Sequence, residues 1–349
     1  MLLTGCFKGG DNVIRILIIS LMSLRSIVMT KKERVIAAIK KEPVDHVPCG
    51  FSLHFPAQEA FGDEGVSSHL RFFSETDTDI CKIMNEHLVP SFGPFVSAQD
   101  YEKVPALSLQ DDFMQQQLML TKKIMEKVDP NVFTVATLHG ILASAIHPLE
   151  QSGMSYEQAR TFLVSALREN PEPVLSAMHR IASCMCSLAK AYAALGVDGV
   201  YYAALGAERH YFTDEEFEAW ILPFDRQILS AIKKANAYSF LHMCKENLDL
   251  SRYVPLLDLV DVVNWGIYEV PFSLEAGTSL FKGKTILGGL ANRSGSLFEG
   301  PTSQLTQDIQ NVLKQMGSIG FILGADCTLD TAQDRGLIRT AVEACRTPH

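Results

Sequence analysis

The chain has 349 residues, 47% of them hydrophobic, and a formal net charge of −9. That is enough apolar material for one large core, at a length common among α/β barrels. Lys and Arg are scattered, so no basic stripe can neutralise phosphates, and nucleic acid is excluded as a partner. The eight cysteines are irregularly spaced and make no secreted disulfide framework; reduced thiols in a cytoplasmic protein fit better.

The N-terminus stands apart. "VIRILIISLMSL" (13–24) is apolar but short and carries an Arg, which argues against a bilayer span. It resembles a signal h-region, yet no A-x-A-like site follows, and the lipobox-like "LTGC" (3–6) has no basic stretch before it. At Met29, "MTKKERVIAAIKK" opens an amphipathic helix, with Thr30 and Glu33 as a capping box. Residues 1–28 are therefore expected to be an extension outside the fold, disordered or added by a start placed too early, with a membrane or targeting role as the alternative. Residues 29–349 are expected to form one domain, with no membrane role.

From there, short apolar runs alternate with helical patterns. "HVPCGFSLHF" (46–55) reads as a strand, followed by helix; "DICKIMNEH" (79–87) reads as the next strand. Residues 88–112 are rich in Pro and Gly and read as a long loop. "DDFMQQQLMLTKKIMEKV" is helical, "VFTVATLHG" (132–140) a strand, and 156–195 helical with a break near "ENPEP". "GVDGVYYAAL" (196–205) is a strand opened by Gly196. Residues 213–235 read as one helix with Thr213 as N-cap and acids in the first turn. The last third is the most regular. Strands "YSFLHMC", "DVVNWG", "TILGGL" and "GFILGADC" are each followed by a helix: "LDLSRYVPLL", "SLEAGTSLF", "TSQLTQDIQNVLKQMG" and "DRGLIRTAVEACR". About eight β-then-α units without a linker predict a single-domain (β/α)8 TIM barrel, with functional residues at the C-terminal ends of the strands. A doubly wound sheet is the rival, but no G-x-G-x-x-G follows the first strand.

His242 and Cys244 are two apart at the end of one strand, so both side chains face the same side. Cys327 ends the last strand and falls on the same rim. One His and two Cys are ligand types that zinc prefers, and three ligands with one open position is the pattern of a catalytic zinc. By spacing alone, a core His and two inert core cysteines remain an equal reading. Cys184 and Cys186 have the same spacing but lie on a helix, where such residues diverge. They read as packing or exposed thiols; Cys49, Cys81 and Cys345 read as structural.

"LHMCKENLDLSRYVPLLDLVDVVNW", "GKTILGGLAN" and "GFILGADCTLDTAQDRGLIRTAVEACR" resemble the C-terminal half of the uroporphyrinogen decarboxylase superfamily, and "TKKERVIAAIKKEPVDHVP" resembles the opening of its methyltransferase branch. The resemblance covers about residues 29–347 and implies the same barrel fold. One branch of that superfamily decarboxylates uroporphyrinogen III without metal. The other comprises zinc-dependent corrinoid:thiol methyltransferases of the methylcobamide:coenzyme M type, marked by H-x-C and a distant Cys. Those positions here are His242, Cys244 and Cys327. The decarboxylase branch holds a polycarboxylate with an early Arg motif, whereas this chain has no Arg between Arg34 and Arg71.

The methyltransferase resemblance implies Zn2+ held by these three residues, a methylated corrinoid (methylcobalamin-like) presented by a corrinoid-binding partner protein, and a small thiol as acceptor. Zinc would keep that thiol deprotonated at neutral pH. Weaker rim candidates for substrate binding are Glu86, His139, Asn264 and Asp326. Glu86 is also a candidate fourth ligand, or an acceptor for the second nitrogen of His242. Only one of Tyr201 and Tyr202 can face the barrel interior. The alternatives that stay open are a uroporphyrinogen decarboxylase and a non-catalytic zinc-binding barrel.

Overall fold

The computed structural model describes residues 28–346. The expected extension at 1–28 lies outside the described residues except for Val28. Eight parallel strands run in the order β1-β8-β7-β6-β5-β4-β3-β2. They are β1 (Cys49–Gly50), β2 (Ile80–Ile83), β3 (Phe133–His139), β4 (Gly199–Ala204), β5 (Tyr238–Met243), β6 (Val262–Trp265), β7 (Thr285–Leu290) and β8 (Phe321–Ala325). The seam between β1 and β2 is sealed by Asp79, whose N–H donates to Cys49 O at 2.9 Å and whose Oδ2 accepts from Cys49 N at 2.8 Å. With the helices outside, this is the (β/α)8 barrel that the alternation predicts.

The first helix, α1 (Lys31–Lys40), is capped as expected, with the Thr30 side chain on Glu33 N and the Glu33 side chain on Thr30 N. It closes the N-terminal end of the barrel. Val35 and Ala38 pack on a cluster of inward side chains: Ile80, Phe133, Val135, Tyr201, Phe240, Val262, Leu287 and Ile322. The Thr285 hydroxyl donates to Ala38 O at 2.9 Å, tying helix to barrel. Arg34 fixes the corner, donating to Asp79 Oδ1 at 2.5 Å and to both oxygens of Asp45.

The outer layer comprises α2 (Gly62–Thr76), α3 (Asp112–Met125), α4 (Ile141–Glu150), α5 (Tyr156–Glu169), α6 (Pro171–Ala194), α7 (Asp214–Trp220), α8 (Leu222–Lys234), α9 (Leu274–Leu280), α10 (Ser296–Glu299), α11 (Thr302–Met316) and α12 (Arg335–Arg346). A 3-10 segment, Leu250–Leu259, stands where a short helix is expected after β5, and another, Ala98–Lys103, interrupts the expected loop.

Four expectations differ from the structure. β1 is two residues long, with only an isolated bridge at Leu53↔Leu329 beyond it. β2 ends at Ile83 because side chains take over its backbone groups: Met84 N donates to His69 Nε2 at 3.0 Å, and Gln117 Nε2 donates to Met84 O at 3.1 Å. The helix read over 213–235 is two helices, since Pro223 has no N–H to offer and the chain turns at Ile221. α4 is unanticipated. It is apolar nearly all round and so buried that periodicity gives no signal, with only Ala143 and Glu150 short of full burial.

Candidate metal centre

The alternation along β5 turns Phe240 and His242 inward, and Cys244 follows just past the strand end. The turn after Cys244 is tight: Lys245 has φ 90° and Asn247 φ 55°, a backbone region that side-chain-bearing residues rarely adopt. Several bonds hold it. Cys244 N donates to Ala204 O at 3.2 Å, Arg209 N to Asn247 O at 3.1 Å and Asp249 N to Ala207 O at 2.8 Å. The partner loop is pinned by Glu208, which is fully buried, pairs with Arg160 and accepts from Gly206 N at 2.8 Å. Lys245 Nζ lies 4.4 Å from the Tyr156 ring centre.

Cys327 arrives from β8. Its neighbour Asp326 donates its N–H to Leu290 O at 2.8 Å and accepts from Tyr268 N through Oδ2 at 2.9 Å, which ties the β8 end to the loop after β6. Farther on, Leu329 N donates to Ser52 O at 2.8 Å.

These two loops bring three donors together. Cys327 Sγ is 3.3 Å from His242 Nε2 and 3.8 Å from Cys244 Sγ, and all three ligand atoms lie within 4.8 Å of one another. Among the described residues this is the one His/Cys/Asp/Glu group close enough to hold a metal. The spacing fits a single small ion: a tetrahedral centre with metal–sulfur bonds of ~2.3 Å separates its sulfurs by about 3.8 Å. Two thiols and an imidazole are a donor set that suits zinc and not a hard oxygen-seeking cation.

The electrostatics agree. The two sulfurs are within hydrogen-bonding distance of each other. That bond, with His242 beside it, draws the Cys327 thiol well below its usual range; the same bond and burial push Cys244 well above. The His242 imidazole stacks on the Tyr201 ring, centroids 5.4 Å apart at 27°. Its Nδ1 is buried with no hydrogen-bond partner among the described residues.

The weaker candidates separate. Glu86 Oε1 is 2.7 Å from His54 Nδ1, so its carboxylate is engaged at the β1–β2 side of the mouth and lies outside the ligand group. His139, at the end of β3, meets His147 edge-on at 5.0 Å, and burial lowers its pKa to about 4, keeping it neutral. Asn264 is spent on structure: Oδ1 accepts from Tyr201 at 2.8 Å, and Nδ2 donates to Leu287 O and Ala325 O at 2.9 and 3.2 Å. Asp326 is wholly buried, and burial raises its carboxyl to about 7. Tyr201 is the inward member of its pair; Tyr202 faces outward and donates to Asp225. Cys184 and Cys186 lie on α6, away from the centre.

Two residues near the sulfurs escape the sequence reading. Burial raises the Glu269 carboxyl, and the charge of Cys327 adds to it. Lys82, on β2, lines a cavity of about 30 Å³ together with Tyr201, Phe240, Leu287 and Cys327. Its signal was present: a Lys two residues from Ile80, on the inward face of an otherwise apolar strand.

The family model for uroporphyrinogen decarboxylase (URO-D) matches residues 82–348, most of the chain. The chain belongs to the uroporphyrinogen decarboxylase family. Among solved structures, it is similar to a methyltransferase from Methanosarcina mazei at 16% identity and a TM-score of 0.68, over 90% of this chain and 98% of that one. It is also similar to a B12-independent methionine synthase from a Shewanella species at 13% identity and a TM-score of 0.55, over 86% and 97% of the two chains. A family 5 glycoside hydrolase, a mannosidase from Rhizomucor miehei, matches at 10% identity with a TM-score of 0.50, over 86% and 93%. Such distant likenesses share the barrel and leave the chemistry to the site. No curated protein matches the chain. Among the described residues, no helix is long and apolar enough to cross a membrane.

Proposed function

We propose that this member of the family is a zinc-dependent methyltransferase. It would take a methyl group from a methylated corrinoid, carried on a separate corrinoid-binding protein, and give it to a small thiol. The observation that carries this reading is the convergence of His242 Nε2, Cys244 Sγ and Cys327 Sγ within 4.8 Å at the barrel mouth. These three residues would hold the ion and leave a position open. Bound there, zinc supplies the lowered thiol pKa that makes the acceptor a thiolate at neutral pH.

The rest is work for the chain. The loops after β5 and β8 set the two cysteines at one ion's spacing. Tyr201 fixes the plane of the His242 ring, and Asn264 fixes Tyr201 through its hydroxyl. With a methylated corrinoid as the substrate, the acceptor sulfur would take the methyl carbon and the carbon–cobalt electron pair would leave with cobalt, giving a thioether and Co(I). A methyltransferase and a B12-independent methionine synthase among the solved neighbours on the same barrel support methyl transfer as the class of reaction. The cavity beside the cluster has Lys82 as its one cationic lining residue and no Arg, a poor match to a polycarboxylate decarboxylase substrate.

The test is turnover of methylcobalamin with a panel of small thiols by zinc-loaded protein, followed by the loss of the methyl–Co(III) spectrum and by thioether formation. Thioether produced by wild type and absent from Cys327→Ser is expected. Conversion of uroporphyrinogen III with no methyl transfer would replace this reading with the decarboxylase.

A further inference from the structure

Lys82 is a charge in a place that does not suit one. Its residue is 7% exposed, and its neighbours in the cavity include Ile80, Val135, Phe240 and Leu287. A buried ammonium needs a partner. Yet none of the ion pairs or hydrogen bonds of the described residues includes Lys82 Nζ. What it has is the face of Tyr201, 3.5 Å from the ring centre, and that same ring stacks on His242. The cavity of about 30 Å³ has room for about two water molecules. Its lining holds no acidic side chain to pair with the amine.

The charged and titratable groups facing Lys82 come from five strands. They are Glu86 past β2, His139 on β3, Tyr201 on β4, Cys244 past β5 and Cys327 past β8. His139 and Tyr201 are neutral, and Glu86, bound to His54 through Oε1, adds its charge from outside the cavity lining. Of the acidic groups, Cys327 is the one that lines the cavity with Lys82.

Charge counting gives the amine a purpose, on the reading of this site as a thiol-binding zinc centre. Two thiolates and a neutral imidazole cancel the charge of Zn2+, so the resting centre is neutral. A third thiolate leaves it with a net negative charge inside a barrel. We propose that Lys82 is the built-in counter-charge of this centre, a positioning residue that stabilises the acceptor thiol in its thiolate form without touching it. The ammonium is held at that spot by the Tyr201 ring. The tyrosine therefore serves both the ligand imidazole and the cation.

The test uses full-length protein loaded with Co2+ in place of zinc, whose thiolate-to-metal absorbance reports binding directly. Wild type, Lys82→Met and Lys82→Arg are titrated across pH with 2-mercaptoethanol, which is neutral, and 3-mercaptopropionate, which is acidic. The Met variant should retain one Co2+ per chain and need a pH about one unit higher for half-formation of the thiolate complex, with both thiols. The Arg variant should restore the wild-type midpoint. Lys82→Gln replaces the Met variant if that one does not fold, with the same expected shift. An unchanged midpoint overturns the proposal, and so does a loss confined to the acidic thiol, which would make Lys82 an anchor for the acceptor's tail. Wild type that binds no Co2+ would sink the metal reading itself; wild type that binds it without a Lys82 effect would sink this inference alone.

Discussion

The two ends of the barrel treat most of their polar groups in opposite ways, although His46 Nε2, beside Asp45, is also buried with no partner among the described residues. At the N-terminal end Arg34 is held through all three of its nitrogens: Asp45 takes Nε and Nη2, Asp79 takes Nη1, and Met29 O accepts from Nη2. The second oxygen of Asp79 is taken by Cys49 N. At the C-terminal end His242 Nδ1 and Asp326 Oδ1 are buried without partners among the described residues, two sulfurs lie 3.8 Å apart, and a lysine sits on a ring instead of on a carboxylate. A buried polar group left without a partner costs stability unless something else completes it. The closed end is therefore a brace, and the open end is built for something that arrives.

Four experiments sharpen that contrast. The largest effect belongs to the open end: His242→Ala and Cys327→Ser should each reduce zinc from about one per chain to near none by metal analysis, while the proteins still fold. Arg34→Ala should do the reverse. It strands Asp79 in the barrel seam and should cost about 3–5 kcal/mol in denaturant unfolding, with zinc content unchanged in the folded fraction.

A third effect lies behind β4. Burial raises the Asp225 carboxyl to about 7, against the hydrogen bond from Tyr202. Its folded pKa exceeds the unfolded value of ~3.9, so the native state holds a proton that the unfolded chain has lost. Asp225 should therefore make wild type lose stability as pH rises from about 4 to about 7, by about 1.4 kcal/mol per unit at most, and add no slope above. Asp225→Asn should lack that component and be the more stable protein at pH 8.

The smallest effect is expected from His54→Ala. Its pair with Glu86 sits at a half-exposed rim, and the variant should change stability by less than ~1 kcal/mol and leave zinc in place.

Much of this was legible in the chain. Alternating patterns gave the barrel, because each β-then-α unit leaves its own signature. The period of two in "LHMC" put His242 and Cys244 on one side, and the strand "GFILGADC" put Cys327 on the same rim. What stayed hidden depends on contacts across strands. The end of β2 is set by His69 and Gln117 from other elements. α4 is too evenly apolar to show a face. Glu86 looked like a rim group near His242, Cys244 and Cys327, but its partner His54 comes from past β1, a pairing that no local spacing encodes. Lys82 is the most instructive miss. A lone lysine in an apolar strand is ordinary at a sheet edge, and only barrel closure turns it toward Tyr201 and the sulfurs.

The most direct measurement is X-ray absorption at the zinc edge of the purified protein, before and after addition of a small thiol. About two sulfur neighbours in the resting protein, rising to about three when the thiol is added, is the result this account predicts. A sulfur count that does not change with thiol, or a purified protein that takes up no zinc when it is supplied, would contradict it.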